Sequence, residues 1–521
     1  MKKRDWTVFA FFVILVIVIR SESFFESVID PDESLYLLMA QSWLDGHLPY
    51  TEIWDNKPPG IYILFSIALI LFGKSVISIR VLACIAIIIT CNLLYKLGNI
   101  IGENGAIIGL IAGTLYAINS LSNEGLASNT EIFFTPFVTL AVYLFIHFVY
   151  KERYLGKLTT RTSPRILMIG LLMGIGFEIK YVVIFDFIAI LLTVGISFYF
   201  GLLKSSKYFS ILKYYALLSI GFILPFLLIS LYFIFNKQFD SYLYSNFVAN
   251  KARTIDNSFS FTTLAEAIKN QVNSNPTLWL WLLITPFYIS ITRKIDSEER
   301  KKIAFFLTWF FVDLLGICFV FRGDFYLHYF LQLTPSQCLI SCYLFIRLIN
   351  IKRKEAKDVA SVEQYFLLAL ILIAPLLHYA GIVGFYLRSS AENLYFRQVK
   401  GLEDWGDGPA AIGKYIKARI NRNDYIYVVD YQPIIYFLTQ AKIPTKYAFP
   451  SFLVGGKESL SRITGNDPIQ ELNSIMQKRP VYIIKKNNDQ DLFYTELNKY
   501  LEKYYTLEVL RQDVKLYRLK N

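Results

Sequence analysis

Apolar runs about as long as a bilayer is thick recur from the N-terminus to near residue 387, and this feature narrows the fold before anything else does. A helix needs roughly 20 apolar residues to cross the hydrocarbon layer, where every backbone N–H and C=O must be paired within the segment. A chain built of such runs folds as a polytopic α-helical membrane protein. Composition agrees, since 55% of the 521 residues are hydrophobic and 17% aromatic. The run at 7–19 has the length of a secretory signal but no small-residue cleavage site, and further spans follow it, so it reads as an uncleaved first helix.

The threading follows from the basic residues, which collect on the cytoplasmic side of membrane proteins. Clusters at 2–4, 151–165, 204–213, 293–302 and 352–357 must all face inward. They do so if the short run 58–72, opened by two prolines suited to a first helical turn, lies along the outer interface instead of crossing. The spans are then 6–20, 78–97, 105–121, 132–150, 165–179, 182–200, 214–235, 278–292, 303–321, 329–347 and 364–385, which makes about eleven transmembrane helices. The expected domains are a multi-spanning catalytic part, 1–387, and an extracytoplasmic tail, 388–521. Within the tail "NDYIYVVD", "PVYIIKKN" and "VKLYRLK" read as strands, and 410–420 and 491–504 as helices, giving a small α/β domain.

The net charge of +12 lies mostly in short loops between apolar runs, so it orients the protein and does not point to nucleic acid. The five cysteines sit in or beside spans without metal-ligand spacing. Neither a GxxxxGK[ST] loop nor a GxGxxG after a strand is present, so no nucleotide needs to be held.

The same topology gathers polar residues on the outer face. The first outer loop holds Asp30, Asp32, Glu33, Asp45, His47, Glu52, Asp55 and Lys57, and the second, "SNEGLASNTE", holds Glu124, Asn129 and Glu131. Lys180 ends a span in "FEIKY", and "RGDFYLHYFLQLTP" brings Arg322, His328 and Tyr329. Charges at that depth cost several kcal/mol and usually face a cavity with a use. A carboxylate to take a proton from an attacking group, with lysine or arginine to hold a departing phosphate, suits transfer from a lipid-linked donor. The ordinary alternatives are a helix N-terminus for Asp32 and Glu33, snorkelling for Lys57 and Lys180, a cap for Glu131, an aromatic belt for His328 and Tyr329, and a plain loop charge for Arg322.

"PDESLY", "WDNKPPG", "SNTE", the lysine of "EIKY" and "HYFLQLTP" occur in an order that resembles the C-superfamily glycosyltransferases of the protein-mannosyltransferase and aminoarabinose-transferase type, over about residues 1–350. The resemblance implies an inverting glycosyltransferase, a hexosyl- or pentosyltransferase, with interfacial helices in the first outer loop. It would take a sugar from a polyprenyl-phosphate donor to a lipid, glycan or protein acceptor on the outer face of the membrane. It implies that Asp32 is the catalytic carboxylate, with Glu33 beside it and Tyr36 one helical turn on, that Lys57 and Lys180 contact the donor phosphate, and that Glu131 takes the place of a second acid. Asn56 stands where the aminoarabinose transferases have a glutamate that helps bind a metal, so no metal site is expected and the cofactor is left open. The expected location is the bacterial cytoplasmic (inner) membrane, among its lipids, with the site facing outward. A lipid flippase or transporter is the competing reading. It requires polar residues in both halves of the membrane, whereas here they gather on one side.

Overall fold

The computed structural model describes residues 3–102, 104–148, 163–199, 208–251, 260–291, 297–320, 326–359, 362–454, 461–486, 492–511 and 514–520. A helix occupies each stretch expected to be a span: Lys3–Ile19, Val76–Ile101, Gly105–Asn119, Thr130–Ile146, Ser163–Phe177, Val183–Tyr199, Tyr208–Phe235, Pro276–Ile291, Ser297–Val320, Thr334–Val359 and Val362–Leu394. By length and composition, three stretches among the described residues suffice to cross a membrane, namely Val76–Ile101, Ile211–Phe235 and Lys301–Val320. Others, such as Gly105–Asn119 with 15 residues, are apolar but short. At 1.5 Å per residue such a helix is about 22 Å long, less than the ~30 Å hydrocarbon core, so helix length does not fix the count of eleven.

The chain divides into two compact units. The first comprises Met1–Glu22, Arg80–Leu231 and Ser258–Ser390, and it is helical. Its helices approach closely where glycine faces glycine or bare backbone. A Cβ on Gly170 would stand 2.2 Å from the Leu218 carbonyl oxygen, and one on Gly221 would stand 2.3 Å from that of Leu167. Helices Ser163–Phe177 and Tyr208–Phe235 thus touch backbone to backbone, the small-residue packing that membranes favour. Val183–Tyr199 packs against Ser297–Val320, and Thr334–Val359 lies against Gly105–Asn119 and Pro276–Ile291. Directly before Thr334–Val359 the chain forms a 3-10 segment, Leu327–Leu333.

The second unit comprises Ser23–Ile79, Tyr232–Asn257 and Ala391–Asn521. The tail thus falls in one compact unit with the loop segment Ser23–Ile79. That loop folds into helices Pro31–Leu44 and Gly60–Phe72, packed on each other. The tail contributes strands β1 (Ile426–Val428), β2 (Tyr482–Lys486), β3 (Tyr505–Arg511) and β4 (Val514–Leu519) in the order β1-β2-β4-β3. β1 and β2 are parallel, with Tyr427 opposite Ile483, and the other pairs are antiparallel. Helices Gly408–Lys417 and Leu492–Tyr504 lie where the sequence placed them, and Pro468–Gln477 is a further one.

The tail is fastened to the first loop by polar contacts as well as apolar ones. Helix Ile434–Thr439 packs on Pro31–Leu44, and the Gln41 and Gln440 side-chain amides pair at 2.7 Å. The Trp54 N–H donates to the Lys446 carbonyl at 2.8 Å. Asp407 accepts from the Ser27 N–H at 2.8 Å and from its hydroxyl at 2.7 Å, while also capping Gly408–Lys417 through the Ala410 N–H.

Candidate active site

In the second unit the site begins with a helix start. Asp30 is the N-cap of Pro31–Leu44, accepting from the Asp32 N–H at 2.8 Å, and Glu33 reaches back to accept from the Ile29 N–H at 2.7 Å. Asp30 and Glu33 form a capping box, with proline at the first helical position. Glu33 is therefore buried on backbone duty. The Asp32 carboxylate instead meets the Lys57 ammonium at 3.3 Å and accepts from the Tyr36 hydroxyl at 3.0 Å. The Asp32 side chain is 27% exposed and that of Lys57 20%, which leaves both reachable by a ligand.

Lys57 is aimed by its own backbone. Its carbonyl accepts from the Tyr50 hydroxyl at 2.7 Å and the Tyr62 hydroxyl at 3.3 Å. Tyr50 adopts a left-handed φ of 72°, which a bulky residue takes only when its surroundings impose it. Asp55, two residues before Lys57, is buried and accepts from the Tyr62 hydroxyl at 2.8 Å and the Asn56 N–H at 2.7 Å. Burial pushes its carboxyl up to about 6, against the pull of Lys57 and with a further push from Asp32. Asn56 spends its side chain on Asn250, donating to that amide oxygen at 3.0 Å.

In the first unit Glu131 opens helix Thr130–Ile146 and Lys180 follows helix Ser163–Phe177. They form a buried ion pair, with Lys180 10% and Glu131 1% exposed in the side chain. The Thr130 hydroxyl donates to the other Glu131 oxygen at 3.0 Å. The Lys180 ammonium also sits 4.4 Å from the centre of the Tyr329 ring. His328, on the same 3-10 segment, bonds through Nδ1 to Glu124 at 2.6 Å. That bond holds the Glu124 carboxyl below its usual range, against burial. Arg322 lies outside the described residues.

Two buried arginines shape the loop carrying Glu124 and Glu131. Arg20 donates to the carbonyls of Ser120, Gly125 and Leu126 at 2.8, 2.9 and 2.7 Å. Arg80 donates to the Ser128 hydroxyl at 3.0 Å. In the same loop Asn123 and Glu124 adopt φ of 55° and 60°, the left-handed region. Arg20, Arg80 and Asp55 are buried positions whose contacts no sequence motif marks. Arg20 carries a signal, a lone arginine at the end of the first span that the threading expects to face outward, opposite to the usual bias.

Residues 56–229 match the family model described as dolichyl-phosphate-mannose-protein mannosyltransferase. Among solved structures, the chain is similar to ArnT from Cupriavidus metallidurans bound to undecaprenyl phosphate, with a TM-score of 0.62 at 12% identity over 98% of this chain and 97% of that one. The chain shares that fold. The archaeal oligosaccharyltransferase AglB from Archaeoglobus fulgidus, in complex with an inhibitory peptide and a dolichol-phosphate, aligns with a TM-score of 0.52 at 12% identity, over 93% of this chain and 69% of that one. An Archaeoglobus fulgidus oligosaccharyltransferase tethered to an acceptor peptide aligns with a TM-score of 0.51 at 12% identity, over all of this chain and 74% of that one. A comparison with curated proteins finds no match.

Proposed function

We propose that the protein is an inverting glycosyltransferase using a polyprenyl-phosphate sugar, and that it acts on the outer face of the membrane through about eleven spans. The observation carrying this reading is the Asp32–Lys57 pair at 3.3 Å, partly exposed and set on a chain that shares its fold over nearly its full length with a protein bound to undecaprenyl phosphate. A carboxylate beside an ammonium matches the two demands of the reaction, a base for the acceptor and a cation for the leaving group.

In this reading Asp32 takes the proton from the acceptor hydroxyl or amine as it attacks the anomeric carbon. The bond from that carbon to the phosphate oxygen breaks on the opposite side, so the configuration inverts and polyprenyl phosphate departs with the electron pair. Lys57 meets that negative charge, and Lys180 and Arg322 are assigned the same duty. Glu131, as counter-ion, keeps Lys180 charged and in place, while Tyr36 orients Asp32. His328 and Tyr329 are assigned to substrate contact. Glu33 serves as a positioning residue, because its carboxylate is committed to the helix start. The acceptor is a lipid, glycan or protein of the cell envelope, and the inner membrane of a bacterium is the proposed location.

The purified protein in proteoliposomes should release polyprenyl phosphate from a polyprenyl-phosphate sugar only when an acceptor is present, and should give a product of inverted anomeric configuration. Movement of the lipid across the bilayer with no glycosidic product would overturn this reading in favour of a flippase. Mass spectrometry of glycans and lipids from cells with and without the chain identifies the sugar and acceptor together.

A further inference from the structure

Beneath the segment Leu327–Leu333 the first unit buries two carboxyl groups that the proposed reaction does not use. Asp186 lies in the first turn of Val183–Tyr199, Asp313 lies in Ser297–Val320, and both are sealed from solvent. The Trp309 indole N–H donates to Asp186 Oδ1 at 2.6 Å. The Gln332 amide reaches Asp186 Oδ2 at 2.7 Å, Asp313 Oδ1 at 3.5 Å and the Val182 carbonyl at 3.3 Å. The two carboxyls thus share one amide nitrogen, that of Gln332. Neither forms an ion pair with a basic residue among the described residues.

Two carboxylates cannot hydrogen-bond, since each only accepts. Like charges this close in a dry interior cannot both ionise. The donors assign the proton. Two N–H groups converge on Asp186, which suits a carboxylate, whereas Asp313 Oδ2 is buried and meets no donor among the described residues. A protonated Asp313 needs no donor and supplies one to Asp186. Gln332 binds this pair and belongs to the segment that presents His328 and Tyr329.

We propose that Asp186 and Asp313 form a one-proton acid pair which, through Gln332, pins the segment presenting His328 and Tyr329. Both are positioning residues, and their link to catalysis rests on the function proposed above. The proton itself does not.

Infrared difference spectroscopy on the full chain at neutral pH tests it. The carbonyl stretch of a protonated, deuterium-exchangeable aspartic acid should be present in the wild type and move when aspartate is labelled with carbon-13. It should vanish in Asp313→Asn and persist, shifted, in Asp186→Asn. No labelled band in the wild type, which requires no variant to fold, would overturn the pair, as would an unchanged band in Asp313→Asn. Hydrogen exchange at Leu327–Leu333 should stay slow in Asp313→Asn, whose amide still donates to Asp186, and rise about tenfold or more in Asp313→Leu. Equal exchange in both would overturn the pinning role. If these outcomes hold while the wild type transfers no sugar, the function reading fails and the acid pair stands.

Discussion

At Asp55 a buried carboxyl is held up to about 6, mainly by burial. The folded chain therefore binds this proton more tightly than the unfolded chain, whose carboxyl titrates near 3.8. Its stabilising effect is complete below about pH 4 and is lost as pH rises through about 6, and the gap corresponds to roughly 3 kcal/mol. Asp55→Asn keeps an acceptor for Tyr62 but cannot ionise. Thermal unfolding of both proteins in detergent should show the variant gaining on the wild type between about pH 4 and pH 7. A constant difference across that range contradicts the assignment. Arg20 offers a second test at this scale. Arg20→Ala leaves the carbonyls of Ser120, Gly125 and Leu126 unpaired in a buried loop, at a cost of about 3 kcal/mol or more. The loss should appear as a lower melting temperature together with reduced transfer.

Among the elements, the helix start at Asp30 decides what Asp32 is available to do. Glu33→Ala removes half of the capping box and should cost about 1 kcal/mol of stability with a partial loss of transfer, and Glu33→Gln, which still accepts, should restore most of both. Complete inactivity of Glu33→Gln would instead make Glu33 a reacting group. The pattern "DPDE" contains the cap signature, so the roles of Asp30 and Glu33 were legible, yet the resemblance drew attention to Glu33 as a catalytic neighbour. Helix positions were legible because apolar runs and basic clusters are strong signals. Strand β3 was not, because Tyr505 continues directly from Leu492–Tyr504 with no glycine or proline to mark the change. Helix Pro468–Gln477 carried its own start in Asp467 and Pro468 and was passed over. The contacts of Arg20, Asp55 and the Asp186–Asp313 pair were not legible, since each joins positions far apart in the sequence or depends on burial.

For the molecule as a whole, the division into units matters more than the boundary at 388. The tail's Asp407 holds Ser27 of the first loop and caps Gly408–Lys417, so Asp407→Ala removes several hydrogen bonds at once. A loss of about 2–3 kcal/mol is expected, read as a lower denaturation midpoint, with transfer reduced because the loop bearing Asp32 and Lys57 loses its anchor. A variant as stable and active as the wild type would show that the Asp407 contacts contribute nothing to the loop. The most direct measurement for the whole account is sugar transfer from a polyprenyl-phosphate donor by wild type and Asp32→Asn, with folding checked by thermal unfolding. The account predicts a folded variant whose transfer rate falls by about a hundredfold or more. Wild-type transfer by a folded Asp32→Asn protein would contradict it.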